Sequence, residues 1–223
     1  MLEAVRSRAR SYFEDAPPAH DWHHVRRVAA LAETLIDRHP DGDAVDERVV
    51  TLAIYLHDIG REREDRGEID DHATWGAREA GEILTDVGAD PDAIERVRHC
   101  VRTHRYSNAA EPETLEAKIV SDADNLDALG AVGLARVFAH GGAAGSPIHD
   151  VGAVDADAVD GPGADSDSPG AQSTDAQYDH IHEKILDLPD RMYTEPGREL
   201  ADARVRFVRE YVRQFDAELA GET

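Results

Sequence analysis

The sequence predicts an all-α domain. Nearly every segment repeats its apolar residues at the three-and-four spacing of one helix face, and no segment alternates apolar with polar residues as a half-buried strand does. The 223 residues, 41% of them hydrophobic, suffice to bury a core, and helical sequence of one character runs through the chain, so a single domain over 1–223 is expected.

From His24 the positions Val25, Val28, Leu31, Ala32, Leu35 and Ile36 form one apolar stripe, which ends near Pro40 and Gly42. The next helix opens on Asp46 and Glu47, acidic residues suited to the positive helix end, buries Val49, Leu52, Ala53 and Leu56, and stops near Gly60. A charged loop from Arg61 to Asp71 leads to a helix carrying His72, Trp75, Ala80, Ile83 and Leu84, closed by Gly88. Pro91 stands in the first turn of another, with Ile94, Val97 and Val101. A further helix runs from about Glu113 through LEAKIVSDADNLDALG to Gly130, AVGLARVFAH forms a short one, and a long amphipathic helix spans Pro196 to about Ala220. The stretch 150–177 (DVGAVDADAVDGPGADSDSPGAQSTDAQ) has no basic residue and no large aromatic; it reads as an acidic flexible insertion within the domain, unable to bury enough apolar surface to offset its ordering entropy.

The charge is extreme: 24 basic against 47 acidic side chains give −23, and only Lys118 and Lys184 are lysines. Acids are spread along the whole chain, and the composition resembles that of proteins from organisms with molar salt in the cytoplasm, where a Debye length of about 3 Å screens self-repulsion. No basic stripe marks a nucleic-acid surface, so specific nucleic-acid binding is not expected. The longest apolar run, Val49 to Leu56 broken only by Thr51, is far short of the ~20 residues of a membrane span, and no secretory signal opens the sequence; a cytoplasmic protein without membrane attachment is expected. The single cysteine, Cys100, cannot form an internal disulfide or by itself a cysteine-based zinc site, which leaves His and carboxylates for any metal.

Position separates the chemistry-bearing histidines from the rest of the twelve. His24 precedes Val28, Leu31 and Leu35 by four, seven and eleven residues, on the buried stripe; His57 follows Ala53 by four and Val49 by eight, and Asp58 comes next. Burying such a pair without partners costs several kcal/mol, so a partner or a divalent cation is required. A third cluster, Asp122, Asp124 and Asp127, interrupts an apolar helix, and helix geometry alone leaves open which is a ligand. A plain surface face with Lys118 paired to Asp122 at four-residue spacing would produce the same pattern.

His24 within HDWHHVRRV, His57 and Asp58 within LHDIGRE, and an aspartate within SDADNLDALG resemble the ordered H…HD…D signature of the HD-domain metal-dependent phosphohydrolase superfamily. DHATWGA, RHCVRTHRYS, TLEAKIVSDADNLDALGAVGLAR and the FAHGG…SPIH turn are similar to the compact single-domain HD hydrolases of bacteria and archaea. The resemblance implies the all-helical HD fold and His24, His57, Asp58 and Asp124 as ligands of one divalent metal, Mn, Mg, Fe, Co or Ni; Asp124 is favoured by its Ala-Asp-x-Leu context. In two-metal relatives further histidines lie between the HD pair and the last aspartate, where His72 and His104 stand here, with His99 as competitor; they could bind a second metal, with Asp58 bridging. The leaning is toward one metal, with His72 and His104 lining the pocket.

The implied activity is hydrolysis of a phosphoester or phosphoanhydride of a small metabolite, a nucleotide foremost, by metal-activated water. Arg27, Arg61, Arg105 and Lys118 are candidates to cradle phosphate, and Asp127 to orient water or donate a proton. The rival readings are a nucleotide-sensing module without turnover and a phosphodiesterase or nuclease. Oligomeric state is left open, a homo-oligomer included. Missing motifs narrow the field: no Gly-rich phosphate loop, no zinc-protease His pair around His182, no serine elbow and no GYP element.

Overall fold

The computed structural model describes residues 1–105, 110–149 and 176–222, and among them every regular element is helical. The helices are α1 (Leu2–Arg10), α2 (Trp22–Arg38), α3 (Glu47–Leu56), α4 (Arg61–Asp65), α5 (His72–Asp86), α6 (Pro91–Thr103), α7 (Leu115–Asp127), α8 (Gly130–Ala144), α9 (Gln177–Glu183) and α10 (Glu195–Leu219). Three short 3-10 segments join them, at Ser11–Phe13, Gly42–Ala44 and Ile185–Arg191.

Aspartates start four of the core helices. Asp21, Asp46, Asp71 and Asp90 each accept hydrogen bonds from two backbone N–H groups in the first turn of α2, α3, α5 and α6, satisfying donors the helix itself cannot. Thr114 and Thr194 do the same for α7 and α10 through Ala117 and Gly197. Gly88 and Gly145 close α5 and α8 at φ +70 and +72°, a backbone conformation that L side chains rarely adopt.

Helix α7 is the central element. It packs on α2, α3, α6, α8 and α10, and Ala117, Ile119, Val120, Ala123 and Leu126 are fully buried. Around it, α2 contributes Val25, Val28, Ala32 and Leu35, and α3 contributes Val49, Leu52, Ala53 and Leu56, the stripes read from the sequence. Because α7 is enclosed on nearly every side, its Asp122 and Asp127 are buried too, and each needs partners.

Three expectations change. The charged loop 61–71 begins with a one-turn helix, α4, supported by Arg61–Asp65 and Glu62–Arg66 ion pairs at four-residue spacing. Helix α1, absent from the sequence reading, buries only Val5 and Ala9, too short a stripe to stand out among its charges. The insertion expected at 150–177 lies outside the described residues up to 175, and its last residue, Gln177, already begins α9.

Candidate metal centre

Helix ends converge on one point. His24 lies in the first turn of α2, where Asp21 accepts from the N–H groups of His23 and His24 at 2.9 and 3.1 Å. His57 and Asp58 follow the end of α3, His72 opens α5, His104 follows α6, and Asp124 lies in the last turn of α7. His24 and His57 are wholly buried, and His72, His104 and Asp58 nearly so.

The ring nitrogens are already assigned by their other partners. His57 Nδ1 and His104 Nδ1 donate to the carbonyl oxygens of Ile54 and Val101, both at 2.7 Å. His24 Nδ1 donates to Asp127 Oδ2 at 2.8 Å and His72 Nδ1 to Glu64 Oε2 at 2.7 Å. Carbonyl and carboxylate oxygens only accept, so in the neutral rings all four Nε2 atoms are bare lone pairs. Yet the Nε2 atoms of His24 and His57 stand 3.2 Å apart, and those of His72 and His104 3.4 Å apart. Two lone pairs at that distance repel unless a proton or a cation lies between them.

The carboxylates complete two sets. Asp124 Oδ1 lies 3.3 Å from His24 Nε2 and 3.9 Å from His57 Nε2; Asp58 Oδ2 lies 3.6 and 3.5 Å from the same atoms. The other oxygen of Asp58, Oδ1, faces His72 Nε2 at 3.3 Å and His104 Nε2 at 3.5 Å. Ligands about 2.1 Å from a transition-metal ion lie about 3 to 3.5 Å apart when adjacent, so both sets match a divalent cation in donor type and come close to it in spacing, the 3.9 Å between Asp124 and His57 being the widest separation. His24, His57 and Asp124 form one group able to hold a metal and Asp58, His72 and His104 another, with Asp58 shared between the two sites by its two oxygens.

Electrostatics agree with an anionic cage. Burial alone would raise Asp58, but the surrounding imidazoles, His57 first and then His104, His20 and His72, hold it well below the usual carboxylate range. Burial likewise opposes the charge on Asp124, and His24 and His57 hold its pKa far down. Burial pushes His57 down and His20 down to about 4, keeping these rings neutral, whereas in His24 burial is outweighed by Asp124 and Asp127 and the pKa rises. Neutral imidazoles and ionised carboxylates are the forms that ligate metals.

Behind the cage stands a second layer. Asp127 takes Arg27 in a two-pronged contact, Nε to Oδ1 at 2.7 Å and NH2 to Oδ2 at 2.9 Å, and Arg136 NH1 at 2.9 Å, while holding His24. These contacts occupy both of its oxygens and, against burial, bring its pKa to about 2. The roles expected for Asp127, orienting water or donating a proton, do not fit such an environment; it positions His24. Arg27 is spent on the same contact. Arg105 NH1 binds Glu64 at 2.8 Å and so braces the Glu64–His72 pair.

Asp122 and Asp124 diverge. Asp122 faces away from the cage and accepts from Tyr193 N, Thr194 N and Thr194 Oγ1 at 2.8, 2.8 and 2.6 Å, so the Lys118–Asp122 pair does not form. Lys118 is half-buried in α7 and is not among the residues that line the cavity beside the cage. His99 accepts from Glu113 N at 3.0 Å, away from the cage.

A cavity of about 330 Å³ opens beside the centre, lined by His20, Arg61, Arg136, His140, Gln177 and Lys184 among others. His20 links the two, with Nδ1 3.5 Å from Asp58 Oδ2. His20, Arg136 and Lys184 line this cavity and are not among the candidates drawn from the sequence. Only Lys184 carried a signal, its residue type being nearly absent from the chain.

The HD domain family model matches residues 21–129, the stretch that contains all of these cage residues. The YpgQ protein of Bacillus subtilis is 31% identical over 225 residues, covering 99% of this chain and 95% of that protein. The crystal structure of YpgQ in complex with ADP superposes with a TM-score of 0.70 at 28% identity, over 97% of this chain and 94% of that one. The crystal structure of an HD-superfamily hydrolase from Bacillus thuringiensis superposes with a TM-score of 0.67 at 27% identity, over 98% and 96%.

Proposed function

We propose, from the fact that the chain belongs to the HD-domain family and from the geometry of its centre, that it is a metal-dependent phosphohydrolase acting on a small phosphorylated metabolite, a nucleotide foremost. The observation that carries the reading is the set of four imidazoles whose Nδ1 atoms are committed and whose Nε2 lone pairs face two carboxylates. A divalent ion held by His24, His57, Asp58 and Asp124 would supply Lewis acidity toward a phosphoryl oxygen and a water nucleophile activated at neutral pH. The residues of this chain do the rest. Asp127 and Ile54 O keep His24 and His57 in the ligating tautomer. Arg61 lines the cavity beside the centre, where its guanidinium can take phosphate oxygens. His20, its pKa near 4, offers a neutral ring at the cavity wall. The nucleotide part of the reading is supported by the ADP complex of the relative YpgQ. A screen of nucleotides and sugar phosphates with each of Mn, Mg, Fe, Co and Ni, read as phosphate or pyrophosphate release, tests it; no release from any pair rejects it.

The direction of the two Asp58 oxygens favours a second reading, in which His72, His104 and Oδ1 of Asp58 hold a second ion. Elemental analysis separates one ion per chain from two.

A further inference from the structure

We infer that Lys184 is a further substrate-binding residue, its ammonium taking an anionic phosphate oxygen on the wall of the cavity that opens beside the metal centre; this rests on the phosphohydrolase reading above. Lys184 stands where α9 passes into the 3-10 segment Ile185–Arg191, at φ −130 and ψ −53, outside helical geometry. Its N–H still bonds the carbonyl of His180 at 3.1 Å, and its neighbours Ile181 and Ile185 are buried in the core. The backbone beneath the side chain is therefore fixed, while the side chain itself is exposed to the cavity.

The other basic residues around the centre each hold a carboxylate, Arg61 chiefly through Nε, which leaves it further N–H groups at the cavity wall. Arg27 and Arg136 hold Asp127, Arg61 holds Asp65 at 3.2 Å, and Arg105 holds Glu64. Lys184 has no side-chain hydrogen bond or ion pair to a described residue, although Glu183 lines the same cavity. In a chain where acids outnumber bases 47 to 24, a lysine without a carboxylate does not reflect a shortage of carboxylates. It shares the cavity with Arg61 and Arg136, which gives a net cationic wall in a protein of charge −23. Enclosure by that wall, and the charges of Arg61, Arg105 and Arg136, push the lysine pKa down against the pull of Asp124. A bound anion would offset the positive charges gathered on this wall, and an ammonium point charge suits a tetrahedral phosphate oxygen.

The test is calorimetric binding of two probes, inorganic phosphate and α,β-methylene-ADP, to the metal-loaded full chain and to its Lys184→Met and Lys184→Arg variants, with metal content measured in parallel. We expect Lys184→Met to weaken binding about tenfold or more, as loss of a charged hydrogen bond implies, Lys184→Arg to stay within about threefold of wild type, and metal content to be unchanged. Wild-type affinity in Lys184→Met overturns the proposal, and so does loss of metal together with ligand, which would make the lysine structural. If the wild type binds phosphate but not the nucleotide analogue, the nucleotide reading falls and Lys184 is judged on phosphate alone; binding of neither probe overturns both.

Discussion

Nδ1 of His24 donates to Oδ2 of Asp127 at 2.8 Å, and the same carboxylate receives Arg27 and Arg136. One contact thus fixes the tautomer of a ligand and anchors it to two cations. In Asp127→Asn one of the two oxygen positions must become an NH2: at Oδ2 it would meet His24 Nδ1, Arg27 NH2 and Arg136 NH1, at Oδ1 it would meet Arg27 Nε. Either way a donor faces a donor and the carboxylate charge is lost, so the hold on His24 in its ligating tautomer weakens. We expect metal affinity to fall about 10- to 100-fold with helicity retained. Titration with a divalent metal, followed by calorimetry, measures this; unchanged affinity would remove Asp127 from the support of the centre.

The second site is tested by counting ions. His104→Ala removes one of the two ring nitrogens facing Asp58 Oδ1 and none of those facing Oδ2. If two ions bind, elemental analysis should read about two per wild-type chain and about one in His104→Ala, whereas His57→Ala should lose the ion of its own site. One ion in wild type and one in His104→Ala would leave His72 and His104 as pocket residues.

A pH dependence follows from Glu116, far from the cage. It accepts from Asp46 N at 3.2 Å and from Arg96 NH2 at 2.7 Å, tying the starts of α3 and α7 to α6. Burial opposes its charge, but these donors and Arg96 hold its pKa below the ordinary 4.5. A carboxylate depressed on folding stabilises the native state above its unfolded pKa and loses that contribution as pH falls toward the folded value. Glu116→Gln should therefore be less stable than wild type by about 1 to 3 kcal/mol at pH 7, with the gap closing below pH 4.5. Urea midpoints of both proteins from pH 7 to 3 check it, and a constant gap would assign the loss to shape, not charge.

Much of this was legible in the sequence because the relevant signals are local. The stripes that carry His24 and His57 are periodic, and the Asp residues that start α2 and α3 sit a few residues before their apolar runs. What escaped depends on distant partners. Asp122 and Asp124 sit two residues apart on one helix, and what separates them is the chain 71 and 72 residues later, where Tyr193 and Thr194 claim Asp122. Asp127 looked like a reactive acid because its arginines come from α2 and α8. Lys184 and Arg136 come to line one cavity only because α8 and α9 pack against each other.

The contact that parts Asp122 from the centre also sets a packing limit at Gly197. Thr194 Oγ1 donates to Asp122 and accepts from Gly197 N at 3.0 Å, so the start of α10 is built on a buried carboxylate. A Cβ at Gly197 would lie inside contact distance of Asp122 Oδ2, and 2.8 Å from Thr194 Oγ1. Neither atom can retreat without breaking a hydrogen bond in a buried site. Gly197→Ala should therefore cost about 1 to 3 kcal/mol by overpacking, and Asp122→Ala about 3 kcal/mol or more by orphaning the N–H groups of Tyr193 and Thr194. Both lesions strike the same three groups, so the double variant should lose less than the sum of the two. Chemical denaturation of the four proteins gives the coupling, and metal content, which this anchor does not ligate, should remain at the wild-type level. Strict additivity would show that Gly197 and Asp122 act separately and that the tight approach between them carries no weight in holding α10 to α7.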